Sequence, residues 1–323
     1  MAARRAAPTP STWRPDARAG RPPTRLTDLP DRAVRPECRV GISGWTYPGW
    51  RGDFYPAGLP HRGELAYAAS RLSSIEINGS FYSLQRPSSY QRWHDETPDD
   101  FVFAVKGGRF ITHLKRLRDV EAPLANFFAS GPLALGRKLG PILWQLPERL
   151  EFDASVLEEF LAQLPHTTTE AAALGAHHDD RVAEDRVDTT VRVEQRIRHA
   201  VEARSKTFAN DAFFELLARH QVGCVLADTA GRWPALDRRT SDLRYVRLHG
   251  DRELYASGYT PSALDSWATR CRQWLADGED VVVYFDNDVK GFAPHDAMAL
   301  LNRMHDPAAG PGPMSRMRDP DRA

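Results

Sequence analysis

Tyr245-Val246-Arg247-Leu248-His249-Gly250 reads as a short apolar strand that turns polar at its end. Side chains alternate faces along a strand, so Tyr245, Arg247 and His249 share one side and Val246 and Leu248 the other. A guanidinium and an imidazole are costly to bury without partners. The pair therefore marks a site. The same grammar recurs along the chain. Residues 74–78 carry Glu76 and end in Asn78, 101–106 end in Lys106, and 141–147 carry Gln145 near their end. Residues 198–202 end in Glu202 with Arg204 just beyond, 223–228 end in Asp228, and 280–285 lead into Asp286-Asn287-Asp288. With 39–43 and 243–248, that makes eight strands.

Helical spacing fills the intervals: 64–72, 88–94, 122–130, 156–164, 211–220, 261–276 and 293–303. Asp153 is a natural N-cap for the fourth of these, and Pro261 opens the sixth. Strands alternating with helices are the parallel α/β pattern, and eight repeats predict a closed (β/α)8 TIM barrel rather than an open sheet. The active face of such a barrel lies at the C-terminal ends of its strands. Asn78, Lys106, Gln145, Glu202, Arg204, Asp228, Arg247, His249 and Asp286 come from seven different strands, so closure would gather them at one rim.

Working outward, residues 1–36 are Arg- and Pro-rich and predict a disordered arm; 306–323 predict a disordered tail. The barrel is expected over 37–305, with a polar insertion at 166–196 holding one short Ala-rich helix. His177-His178-Asp179-Asp180 in that insertion reads as a solvated run rather than a metal cluster. The loop after the first strand, with Trp45, Tyr47 and Trp50, either walls a pocket or packs as a lid on the rim. The 43 basic and 43 acidic residues balance, so no global field points to nucleic acid or membrane. Cys38, Cys224 and Cys271 are widely spaced and read as reduced core thiols of a cytoplasmic protein, with a catalytic thiol as the alternative. No apolar run reaches transmembrane length, and no signal-peptide core precedes the barrel.

Several motifs occur in order between about 39 and 304. They are Gly41-Ile42-Ser43-Gly44-Trp45, Phe54-Tyr55-Pro56, Glu76-Ile77-Asn78 with Phe81-Tyr82, Trp93 with Thr97-Pro98, Phe103-Ala104-Val105-Lys106 and Ile111-Thr112-His113. Leu139-Gly140-Pro141, Gln145-Leu146-Pro147, Glu202-x-Arg204, the stretch 245–250 and Tyr284-Phe285-x-Asn287-Asp288 complete the set. In these the chain resembles the DUF72 family, the YecE-like proteins. The resemblance implies a TIM barrel and no particular reaction. One departure stands out: where that family usually has Glu-x-Arg-His-x-Ser-Trp, this chain has Glu202-Ala203-Arg204-Ser205-Lys206-Thr207-Phe208. Chemistry that required the family histidine or tryptophan would be altered here.

Three functional readings remain open from residues alone. In an enzyme, Lys106, Arg204 and Arg247 would hold a phosphate or carboxylate, and Glu202, Asp228 and His249 would transfer protons. Trp45 and Tyr47 would stack on a sugar or base, with Asn78, His113, Gln145, Asp286 and Asn287 lining the pocket. In a metal-dependent hydrolase resembling endonuclease IV-type barrels, Glu202, Asp228, His249 and Asp286 would be ligands, against the opposing field of nearby cations. In a non-catalytic binder, the same basic and aromatic residues would hold a nucleotide, nucleic-acid fragment or metabolite. The plain structural explanation is an internal salt-bridge network neutralising Glu76, Glu202, Asp228 and Asp286. No cofactor and no oligomeric state is assigned.

Overall fold

The computed structural model describes residues 36–306. The strands are β1 (Cys38–Ser43), β2 (Ser74–Ile77), β3 (Val102–Lys106), β4 (Leu139–Gln145), β5 (His199–Glu202), β6 (Gly223–Asp228), β7 (Leu243–Leu248) and β8 (Asp280–Phe285). They pair in sequence order, all parallel, and β8 closes on β1: a TIM barrel. The helices are α1 (Glu64–Ala69), α2 (Gly79–Tyr82), α3 (Pro87–Asp95), α4 (Glu121–Ala129), α5 (Ala154–Leu161), α6 (Thr168–Gly175), α7 (Asp211–Arg219), α8 (Pro261–Ala276) and α9 (Phe292–His305). Apart from Pro36 and Asp306, the expected N-terminal arm and C-terminal tail lie outside the described residues. Among the described residues, no helix is long and apolar enough to cross a membrane.

Strand alternation sorts the core into two layers. Val40, Ile42, Ile75, Phe103, Trp144, Val246 and Phe285 face the helices. Ala104, Leu143, Ala200, Val225, Leu243, Tyr245, Val282 and Tyr284 fill the barrel interior. Because parallel strands are covered on both sides, both faces are apolar. Above that plug, the next inward positions are polar, and they make the mouth: Ser43, Glu76, Lys106, Gln145, Glu202 and Arg247 are all buried.

Two segments differ from the sequence expectation. Residues 79–82, expected as a loop, form the single helical turn α2, and Phe110–Leu114 beyond β3 winds as a π-turn. The 166–196 insertion is more built than its polarity suggests. Its helix α6 buries Ala171 and Gly175, Asp179 exchanges two hydrogen bonds with Asn126 (2.8 and 2.9 Å), and the Asp188 amide donates to Ala129 O. The helix caps follow the local chemistry: Asp153 accepts from the Ser155 and Val156 amides at the start of α5.

Candidate functional site

Arg247 sits at the centre of the mouth, fully buried. Its Nε and Nη2 donate to the two oxygens of Glu76 (3.1 and 2.8 Å), Nη1 to Glu202 (2.7 Å), and Nη2 also to Asp286 (2.9 Å) and Ser43 Oγ (2.9 Å). Each carboxylate comes from a different strand or strand end: Glu76 from β2, Glu202 from β5, Asp286 just past β8. The ring is braced from below by Tyr245 Oη, which donates to Glu76 (2.6 Å). Ser43 Oγ also donates to Glu76, and Asn78 Nδ2 donates to Ser43 Oγ (3.1 Å). Burial alone disfavours every one of these charges, but mutual pairing reverses that. Glu76, Asp286 and Glu202 raise Arg247 well above its usual value against its own desolvation. Arg204 and Arg247 hold Glu202 well below the carboxylate range despite burial, and Arg247 and His249 do the same for Asp286.

His249 continues the inward face of β7 and is fully buried. Arg247 Nη1 approaches its Nε2 at 3.5 Å. A guanidinium only donates, so Nε2 carries the lone pair and the proton belongs on Nδ1, which lies 3.1 Å from Asp286 in oblique alignment. Burial, with Arg247 nearby, depresses its pKa, keeping the ring neutral. Gly250 follows with φ +125°, and a Cβ there would meet Glu253 O at 2.3 Å. Only glycine lets the chain turn away directly behind the histidine. Arg204 pairs with Glu202 (2.7 Å) and lays its guanidinium over the Trp233 ring at 3.8 Å.

Lys106 is the contrasting cation. It is 8% exposed, and no carboxylate lies within ion-pair distance of its ammonium among the described residues. Nζ instead sits 4.5 Å above the Phe81 ring, whose edge side meets His113 at 5.1 Å. Burial first, then the Arg247 charge, pushes Lys106 down to about 8. Burial, Lys106 and Arg204 push His113 down to about 4, so it is neutral at neutral pH. Gly107 holds this end of β3 against β4: a Cβ there would meet the Trp144 ring at 2.2 Å.

The structure thus brings together Glu202, Arg204, Arg247, His249, Asp286 and Asn78, with Lys106 and His113 along one side. It separates Asp228, Asn287 and Trp45 from them, while Gln145 lines the same mouth beside Glu202. Asp228 follows the outward parity of Cys224 and Leu226 and accepts from Tyr259 Oη (3.0 Å), so the expected convergence with Arg247 does not include it. Asn287 is turned away to Ser257 O and Asp296 (2.9 Å each). Trp45 packs edge-on against Trp93, and the Gln145 amide donates to Leu146 O. Tyr47 stays at the rim, donating to Ser43 O (2.6 Å). Phe81, Trp233 and Asp288 also stand at the mouth, though no strand-end position marks the two rings in the sequence. Asp288 is pushed up to about 6 by burial and by Asp286.

Of the carboxylates that a metal would need, Glu202 and Asp286 already pair with Arg247, and Asp228 accepts from Tyr259. Among the described residues, no group of three or more His, Cys, Asp or Glu side chains is arranged to hold a metal ion. In the insertion, Asp179 is engaged by Asn126, and His178 Nδ1 lies 3.1 Å from Gly175 O.

A closed parallel barrel with a buried, charge-balanced mouth defines the class: a TIM-barrel protein with a polar C-terminal rim. Within that class, residues 39–319 match the family model described as "Protein of unknown function DUF72", and the chain belongs to that family. It is 29% identical over 128 residues to UPF0759 protein YecE of Escherichia coli K12, covering 39% of this chain and 44% of that protein. It is 27% identical over 113 residues to UPF0759 protein YunF of Bacillus subtilis 168, covering 33% of this chain and 39% of that one. The matched stretches thus span less than half of these curated relatives. A DUF72 family protein of Thermotoga maritima MSB8 superposes with TM-score 0.67 at 23% identity, over 84% of this chain and all of the other. A DUF72 family protein of Enterococcus faecalis V583 gives 0.63 at 14% identity, over 87% of this chain and all of the other. These two likenesses concern the fold.

Proposed function

We propose that the barrel mouth binds a small molecule through a phosphate or carboxylate group, with Lys106 as the receiving cation and Arg204 beside it. The observation that carries this reading is the unequal pairing of the cations. Arg247 has its donors taken by three carboxylates, while Lys106 is buried against an aromatic face and, among the described residues, has no carboxylate within ion-pair distance. A buried charge without a counter-charge is destabilising, and an anionic ligand relieves it. Arg247 is then the fixed post that positions Glu202 and, through it, Arg204. The three cysteines are free, and this fits the reducing cytoplasm.

The rim favours a base-bearing anion such as a nucleotide or nucleic-acid fragment. Tyr82 (70% exposed) packs edge-on against Phe81, one ring away from Lys106, and Phe110 is exposed nearby in the chain. Exposed rings beside a cation serve stacking and phosphate contact together. The test is thermal denaturation with phosphate, sulfate, small carboxylates and nucleotides, on wild type and on Lys106→Met. At a hundredfold excess over Kd, a bound anion stabilises by about 2.7 kcal/mol. Wild type should respond to at least one anion and Lys106→Met should not. An equal response in both, or none in wild type, overturns the reading.

A further inference from the structure

We propose that Lys106 is a nucleophile, forming a Schiff base with an aldehyde or ketone that carries an anionic group. This deepens the binding reading above and rests on it. The geometry provides what an amine nucleophile requires. The side chain is more than nine-tenths buried, at the end of β3, where it points into the mouth with no ion pair to hold its proton. Its neighbours are a phenyl face and, further in, the Arg247 guanidinium, which repels an ammonium. A desolvated lysine beside another cation is the arrangement that frees an amine for covalent chemistry. At neutral pH, a lysine titrating near 8 holds on the order of a hundredfold more free amine than one near 10.4.

The other lysines of the chain are differently placed. Lys138 is held by the carbonyls of His94 and Thr97, Lys115 pairs with Asp119, Lys290 pairs with Glu253, and Lys206 is exposed. None of them faces the mouth.

The step balances without an oxidant or reductant. The lone pair of Nζ forms a C–N bond as the carbonyl π bond breaks, nitrogen gives up one of its two protons, and the oxygen takes one up. The resulting carbinolamine loses that oxygen as water, after a second protonation, while nitrogen gives up its remaining proton and the C=N bond forms. His113 is neutral and packs against the same Phe81 ring, within electrostatic reach of Lys106, so an imidazole is available as the proton carrier, directly or through water. Arg204, anchored between Glu202 and Trp233, is placed for the anionic group.

The test uses the full chain with glyoxylate or glycolaldehyde phosphate as the carbonyl probe and borohydride to reduce any imine to a stable secondary amine. Intact mass and peptide mapping then locate the label. Lys106 should be labelled at least tenfold faster than any other lysine, with a pH midpoint near 8, and Lys106→Arg should abolish that fast phase. Propanal, which lacks the anion, should label Lys106 more slowly than the two anionic probes. Labelling confined to the exposed lysines overturns the covalent proposal. If phosphate still stabilises wild type in that case, the binding reading stands and only the nucleophile falls. If phosphate fails as well, both fall.

Discussion

Two cations in the same barrel mouth are treated oppositely by the fold. Arg247 touches Glu76, Glu202 and Asp286, and every one of those contacts is buried or nearly so. Lys106 lies within the electrostatic reach of the same three carboxylates, and none is close enough to pair with it. The planar fork of arginine explains the first arrangement, since its five donors satisfy several acceptors at once. Lysine is a point charge on a flexible stem and loses its proton when buried. One region of the mouth is therefore complete without a ligand, and the other is not. A complete network holds shape. An incomplete one is where chemistry or binding is expected.

The largest test of that contrast is Arg247→Met. It leaves Glu76 and Asp286 buried without their guanidinium and Glu202 with Arg204 alone, and breaking a buried ion pair typically costs about 3–5 kcal/mol. Chemical denaturation should show a loss at least that large. A loss under roughly 1 kcal/mol would mean that the ring of carboxylates is held by something other than the guanidinium.

Lys106→Met should act in the other direction. The folded-state pKa of Lys106 lies near 8, below its ordinary 10.5. Below pH 8 the amine is protonated whether folded or unfolded, and the fold carries the full cost of burying the charge. Between about 8 and 10.5 the folded chain sheds the proton first, so wild-type stability rises relative to the variant. The Met variant should be more stable at pH 7 by up to roughly 3 kcal/mol, and the gap should close above pH 10.5. A variant less stable than wild type at pH 7 would make Lys106 a structural post like Arg247 and break the comparison.

Much of this architecture is written in the alternation and punctuation of the chain. Val225, Tyr245 and Val282 fill the barrel while Leu226, Val246 and Val283 face the helices, a period-two pattern visible in the residues themselves. Pro261 starts α8 where its fixed φ belongs. Asp228 and Asn287 show where that reading fails. In a parallel strand both faces are apolar, so a polar end does not say which side it takes. Asp228 turned toward Tyr259, and Asn287 toward Asp296, because parity and not polarity decides. Phe81 comes from the single turn α2 and Trp233 from a loop, and neither has a period that would place a ring against a lysine or an arginine. The pairing itself, Arg247 saturated and Lys106 bare, depends on distances of a few ångströms between strands whose paired residues lie 39 to 171 apart in sequence. Composition carries no trace of it.

The finest test lies at Asp288, beside Asp286 and within reach of the Arg247 charge. Its carboxyl is pushed up to about 6 by burial and by Asp286, while Asp286 itself is held below the usual range by Arg247 and His249 despite burial. Two neighbouring carboxylates with pKa values driven apart are the pattern of an acid–base pair. The sign follows from linkage. Between pH 3.8 and 6 the folded chain keeps a proton that the unfolded chain has released, so stability falls as pH rises through that window, and the full cost is present above 6. Asp288→Asn keeps the size of the side chain and removes the charge. Because Asp288 is only partly buried, the gain at pH 7 should be about 1 kcal/mol, shrinking to nothing below pH 4. If the gain persists unchanged at low pH, the effect is packing and not charge.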